Sequence, residues 1–209
     1  MITKYSLLRI LVLILIFNII GSSICYSQDK EVNYLIIIKS GVPIATSKTT
    51  FKTYWLPVFD ISLSGLKYTC KNLYTGFNID YSRFNIGKWI YLKSRLHIIN
   101  PNIAFRYDIN FLKRLKVSPE ASFGYSWMSF TNPLTPSSFV KTFNESGVSM
   151  QTGIDITYMF RNNLNLGLNG SYKTIFKKFG NDSLVLYESR EEAYYTAYLN
   201  IGISCGFYF

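Results

Sequence analysis

The chain has 209 residues, 48% hydrophobic and 17% aromatic, with 17 Tyr and 16 Phe, a composition that excludes a disordered chain. A single histidine and three cysteines, with no Cys-x-x-Cys spacing, argue against a zinc site and against a disulfide-built scaffold. The net charge is +10, from 22 Lys and Arg against 12 Asp and Glu. The basic residues are scattered rather than gathered in a stripe, which suits solvated loops and lipid headgroups and not nucleic acid.

Residues 1–27 read as a secretory signal peptide. Lys4 and Arg9 give a basic start, residues 10–20 are almost wholly apolar, and Gly21, Ser22, Ser23 and Ser27 bring small residues to the expected cut after Ser27. The apolar run is shorter than the roughly 20 residues a spanning helix needs. Ile24, just before Cys25, is too large for a lipoprotein signal. Losing Lys4 and Arg9 takes the net charge from +10 to +8 and leaves one domain, residues 28–209, with Cys70 and Cys205.

That domain reads as strands throughout, expected at 32–46, 53–69, 72–84, 92–111, 115–130, 147–160, 164–179 and 193–209. The first two, around "LIIIKSGVPIATS" and "YWLPVFDISLSG", carry Pro43, Pro57 and breaks in alternation. From the third onward apolar residues recur at every second position, the period of a strand with two unlike faces. Leu73, Phe77, Ile79 and Tyr81 stand opposite Tyr74, Gly76, Asn78, Asp80 and Ser82. Ile103, Phe105, Tyr107, Ile109 and Phe111 stand opposite Asn102, Ala104, Arg106, Asp108 and Asn110. Leu115, Val117, Ala121, Phe123, Tyr125 and Trp127 stand opposite Lys116, Ser118, Glu120, Ser122, Gly124 and Ser126. The pattern continues through Thr152, Ile154, Ile156, Tyr158 and Phe160, then Leu164, Leu166, Leu168 and Tyr172, and ends with Ile201, Ile203, Cys205, Phe207 and Phe209.

An apolar face with a polar one opposite fits a soluble sandwich or a membrane barrel. Two features favour the barrel. The strands exceed the 5–6 residues usual in soluble sheets. The apolar face is also tipped with aromatics at both ends, Phe111, Phe160, Phe207 and Phe209 at one and Trp127, Phe130, Tyr172 and Phe176 at the other, as two interfacial girdles would be. Tight turns near 70–72, 112–114 and 161–163 alternate with longer polar stretches at 131–146 and 179–193, the asymmetry of outer-membrane barrels. The expectation is an all-β fold: a closed antiparallel up-and-down transmembrane β-barrel of 8 strands, with 10 left open. Its lumen would hold a charge network of Asp80, Arg106, Asp108, Glu120 and Asp155.

The stretches "LYTGFNIDYSR", "YLKSRLHIINPNIAFRYDI", "RLKVSPEASFGYSW" and "GIDITYMF", with the last strand ending at Phe209, together resemble the PorT-like family of small outer-membrane β-barrel proteins of Gram-negative bacteria. The resemblance implies an integral outer-membrane protein surrounded by lipid. It also implies that Phe209, with Phe207, serves as the signal read by the barrel-assembly machinery as well as part of the interfacial girdle.

No catalytic set stands out, and no phosphate loop, metal spacing or cofactor motif is visible. The expected role is structural or accessory, in secretion or surface contact with other outer-membrane proteins, with a lumen filled by side chains. A narrow channel through the charged lumen is the alternative. A lipid-acting barrel enzyme is the second, and His97 is the residue it would use.

Overall fold

The computed structural model describes residues 34–46, 55–86, 95–132, 141–161, 163–177 and 195–209. The expected signal peptide and its cut after Ser27 lie outside the described residues. The strands are β1 (Tyr34–Ala45), β2 (Trp55–Cys70), β3 (Leu73–Ile86), β4 (Arg95–Tyr107), β5 (Ile109–Asn110), β6 (Leu115–Asn132), β7 (Lys141–Arg161), β8 (Leu164–Lys177) and β9 (Tyr195–Tyr208). β5 continues β4 after a one-residue break at Asp108, so the barrel has eight staves. Every pairing is antiparallel, and β4 meets β6 to complete the ring. A stave of 14 residues is about 46 Å long at 3.3 Å per residue, enough to cross a bilayer when tilted.

β9 closes on β1, from Leu35↔Tyr208 to Ala45↔Tyr198. The seam ends with Tyr34 N donating to Phe209 O (2.9 Å) and Phe209 N to Tyr34 O (2.8 Å). Among the described strands none is left as an open edge, a requirement for any sheet facing lipid. Inward glycines let the staves approach closely. A Cβ on Gly202 would stand 2.0 Å from Ser40 O, and one on Gly124 2.1 Å from Pro101 O.

The strand bounds differ from expectation chiefly in β7. It starts at Lys141 rather than 147, and the β6–β7 hairpin stays in register to Asn132↔Lys141. Residues 131–132 and 141–146 of the expected loop are therefore strand. Residues 141–146 lack apolar alternation because they extend past the apolar band, where neither face selects for it.

β2 and β3 are joined by Lys71 (φ 41°) and Asn72 (φ 68°). Two positive φ values in a two-residue hairpin make a type I′ turn, whose hand matches the twist of the strands. Asn tolerates this conformation and a β-branched residue does not. Asn72→Val should therefore cost about 1–2 kcal/mol, read as a shift in the urea midpoint of the detergent-refolded protein. This turn, the 111–114 connection and Asn163 before β8 share an end with residues 34 and 209.

Alternation gives the wall its two sides. Ile154, Ile156, Leu168, Ile201 and Ile203 are exposed on the outside, Ile203 at 64%. Asp155, Asn169, Asn200 and Ser204, their neighbours in sequence, are buried inside. This inverts the soluble arrangement. The interior is layered. Phe84, Leu96, Ile98, Met128, Ile175 and Tyr198 close it towards the longer connections, and Leu35, Ile37, Leu66, Tyr74 and Ala104 form a second apolar layer towards the tight turns.

Candidate functional site

The polar chemistry of the molecule lies in the lumen, between and below these apolar layers. β4 points every even-numbered residue inward from Leu96 to Arg106, and Asp108 keeps that side across the break. Arg106 is the hub. Its Nε donates to Asp108 Oδ1 (2.8 Å), Nη1 to Glu120 Oε1 (2.5 Å) and Asp155 Oδ2 (2.6 Å), and Nη2 to Ser118 Oγ (2.9 Å). A guanidinium suits this place because its planar fork can serve several carboxylates from one fixed position.

Two lysines complete the cluster. Lys39, from β1, pairs with Glu120 and stands 3.3 Å from Asp155. Lys116 reaches Asp108 at 3.5 Å, donates to the Tyr208 hydroxyl (3.1 Å) and lies 4.4 Å from the centre of the Tyr208 ring. Tyr208 in turn donates to Asp108 Oδ2 (2.5 Å). Arg106, Lys39 and Lys116 thus neutralise Asp108, Glu120 and Asp155, which is what allows six charges to stay out of water.

A second cluster sits nearer the longer connections. Lys173 bridges Asp60 (2.9 Å) and Asp80 (3.3 Å). Asn200 Nδ2 donates to Asp60 (2.9 Å), Ser82 donates to Asp60 and shares a 2.9 Å hydrogen bond with Tyr198, and Asn102 Nδ2 donates to Asp80 (3.2 Å). Ser149 Oγ then donates to Asn102 (2.8 Å), tying the far side of the barrel to the cluster. A cavity of about 10 Å³, room for a single water, lies between the clusters, lined among others by Asn78, Arg106, Glu120, Ser122 and Gln151.

The structure brings Arg106, Asp108, Glu120 and Asp155 together. Asp80 is not with them, and the single five-residue network expected from the sequence is corrected to two. Register separates Asp80 from the hub: it lies opposite Asn100, whereas Arg106 lies opposite Tyr74, six residues or about 20 Å further along β3. Sequence reasoning missed Lys39, Asp60, Lys116 and Lys173 as members, although each falls on the inward register. Phe207 and Phe209 stand on the outer wall at the tight-turn end. Cys70 and Cys205 are free thiols.

His97 is not in the lumen. It lies on the outer wall, its Nδ1 2.6 Å from the Tyr81 hydroxyl and its ring stacked on Tyr81 at 5.9 Å. A hydrolytic histidine needs a nucleophile and an orienting acceptor; among the described residues no carboxylate pairs with it.

The fold is shared with solved membrane barrels. A major outer membrane protein from Thermus thermophilus superposes with a TM-score of 0.57 at 12% identity, covering 86% of this chain and 100% of that one. Neisserial surface protein A gives 0.51 at 12% identity, covering 85% and 99%. The outer membrane protein OprG from Pseudomonas aeruginosa gives 0.50 at 12% identity, covering 86% and 97%. Likeness at such identities is a likeness of fold. No protein-family model matches the sequence, and no curated protein matches it.

Proposed function

We propose that the protein is an integral outer-membrane barrel of PorT-like type that does not conduct, and whose role is structural or accessory, in secretion or surface contact. The observation that carries this reading is the filling of the lumen. An ion entering it from the side of the longer connections meets an apolar layer, and beyond that layer Lys173 and Arg106 are already held by carboxylates. An eight-stranded barrel has only enough width for its side chains. Contact with other proteins then falls to the rims and connections rather than to the interior.

The terminal strand supports the expected assembly route. Phe207 and Phe209 present aromatic rings on the outside at the seam that closes last in chain order, where an assembly machine would grip an unclosed barrel. The channel reading makes the opposite claim about the lumen, and conductance separates the two. Purified full-length protein in planar bilayers should give a flat baseline under an applied voltage in concentrated salt. Discrete, repeatable current steps from the wild-type protein would replace this reading with the pore.

A further inference from the structure

Among the described residues the outer wall carries charge of one sign only. The carboxylates Asp60, Asp80, Asp108, Glu120 and Asp155 are directed inward, and Glu145 lies on the same inward register. Among the described residues with described side chains, the ionisable groups on the outward register of the strands, tyrosine and cysteine aside, are Lys67, Arg83, Arg95 and His97. Three of these fall together on β3 and β4.

Register sets their height. One row round the wall reads Ile61, Tyr81, Ile99, Trp127. The next row towards the longer connections reads Phe59, Arg83, His97, Ser129. The row after that sets Asn85 beside Arg95 and Thr131. An apolar and aromatic row therefore gives way, within two residues, to a basic and hydroxyl-bearing one. Aromatics of this kind mark the edge of the hydrocarbon, so the basic rows stand at headgroup depth.

This cluster is unfavourable by itself. Arg83 is directly opposite His97 and diagonal to Arg95, roughly 7–8 Å away by strand geometry, and like-charged cross-strand neighbours repel. Among the described residues no carboxylate on the wall relieves them: neither arginine makes an ion pair, and Arg83 Nε is buried without an acceptor. In the lumen Arg106, Lys39, Lys116 and Lys173 are all matched by carboxylates, so the omission outside is selective. A fork of unanswered donors at headgroup depth is what a phosphate would satisfy.

We propose that Arg83 and Arg95, with His97 and the hydroxyl of Ser129 beside them, form an outer-wall site for the phosphate of a membrane lipid headgroup, whose acyl chains lie along the apolar rows below. The proposal rests on the reading that this wall faces the bilayer. Tyr81 holds the His97 ring through Nδ1, which leaves Nε2 to face the ligand. The lipid tethers the β3–β4 side of the barrel to its leaflet without involving the lumen.

The test uses the full-length protein refolded in zwitterionic micelles, with diphosphoryl lipid A as probe and its phosphate-free form as control, and bound lipid counted by native mass spectrometry. The wild type should bind the phosphorylated lipid at least about tenfold more tightly than the control. Arg83→Gln/Arg95→Gln should lose that preference, while Lys67→Gln, at the opposite rim, should keep it. Equal binding of the two lipids by the wild type overturns the proposal, as does a double variant that retains the preference. Each sample is also run unboiled on a gel. A folded, heat-shifted barrel without phosphate preference defeats the site alone, whereas a protein that never acquires the folded mobility defeats the barrel reading beneath it.

Discussion

Arg106→Met should lower the stability of the refolded barrel by about 3–5 kcal/mol, the cost of breaking a buried ion pair from one side. The methionine fills much of the same space, so the loss is one of charge and hydrogen bonds rather than of volume. Glu120 and Asp155 would be left to share Lys39, and Asp108 would keep Lys116 and Tyr208. Arg106→Lys retains the charge but cannot reach Asp108, Glu120, Asp155 and Ser118 from one planar group, so it should fall between Arg106→Met and the wild type. The double change Arg106→Met/Asp155→Asn removes one carboxylate along with the cation, leaves the Lys39–Glu120 and Lys116–Asp108 pairs intact, and should recover most of the loss. Urea titrations of tryptophan fluorescence in detergent micelles give all three values. An Arg106→Met barrel as stable as the wild type would mean that the hub is wet and the lumen open.

Ile156→Arg tests the other side of the wall. Ile156 lies midway between Phe160, in the girdle at the tight-turn end, and Thr152, which pairs with Tyr172 towards the other end. Its row is Val117, Ile156, Leu168 and Ile203, apolar across four staves. An arginine there has no partner and must reach to an interface, at a cost of about 2–4 kcal/mol for the bilayer midplane. Thr157→Ser, one residue away and buried in the lumen, keeps its hydroxyl and should change little. The contrast between neighbours is the point: in a soluble sandwich Ile156 would be core, and Ile156→Arg would prevent folding in any solvent. Measured by reversible unfolding in bilayer vesicles, the barrel should still form.

Much of this fold is legible in the sequence because a wall between lipid and a polar lumen enforces strict alternation. β3, β6, β8 and β9 show it plainly. β1 does not, because Ile36, Ile37 and Ile38 are apolar in succession: Ile37 faces inward with Leu35, in the inner apolar layer, while its neighbours face lipid. Phe84, Ile98, Met128 and Ile175 blur the pattern in the same way at the other layer. β2 is obscured by the register shift between Pro57 and Phe59. For the lumen, the sequence shows which face a charge lies on but not its height along the barrel. On sequence alone Asp80 therefore groups with Arg106. The same limit explains the missed cations, since an isolated Lys39 or Lys173 in a strand looks like any solvated lysine until the partner staves are placed opposite it. The hub itself is visible because Arg106 and Asp108 share a face two residues apart, and Glu120 and Asp155 repeat the signal on β6 and β7.

The central claim is that each stave presents alternate residues to lipid and encloses the others. Photolabelling from within the bilayer tests it directly. The protein is reconstituted in vesicles containing a lipid with a diazirine at mid-chain, irradiated, and mapped by mass spectrometry. The label should fall on Ile154, Ile156, Leu168, Ile201 and Ile203 and spare Asp155, Thr157, Asn169, Asn200 and Ser204. Label spread evenly over both sets, or found on the second set alone, would contradict the barrel described here.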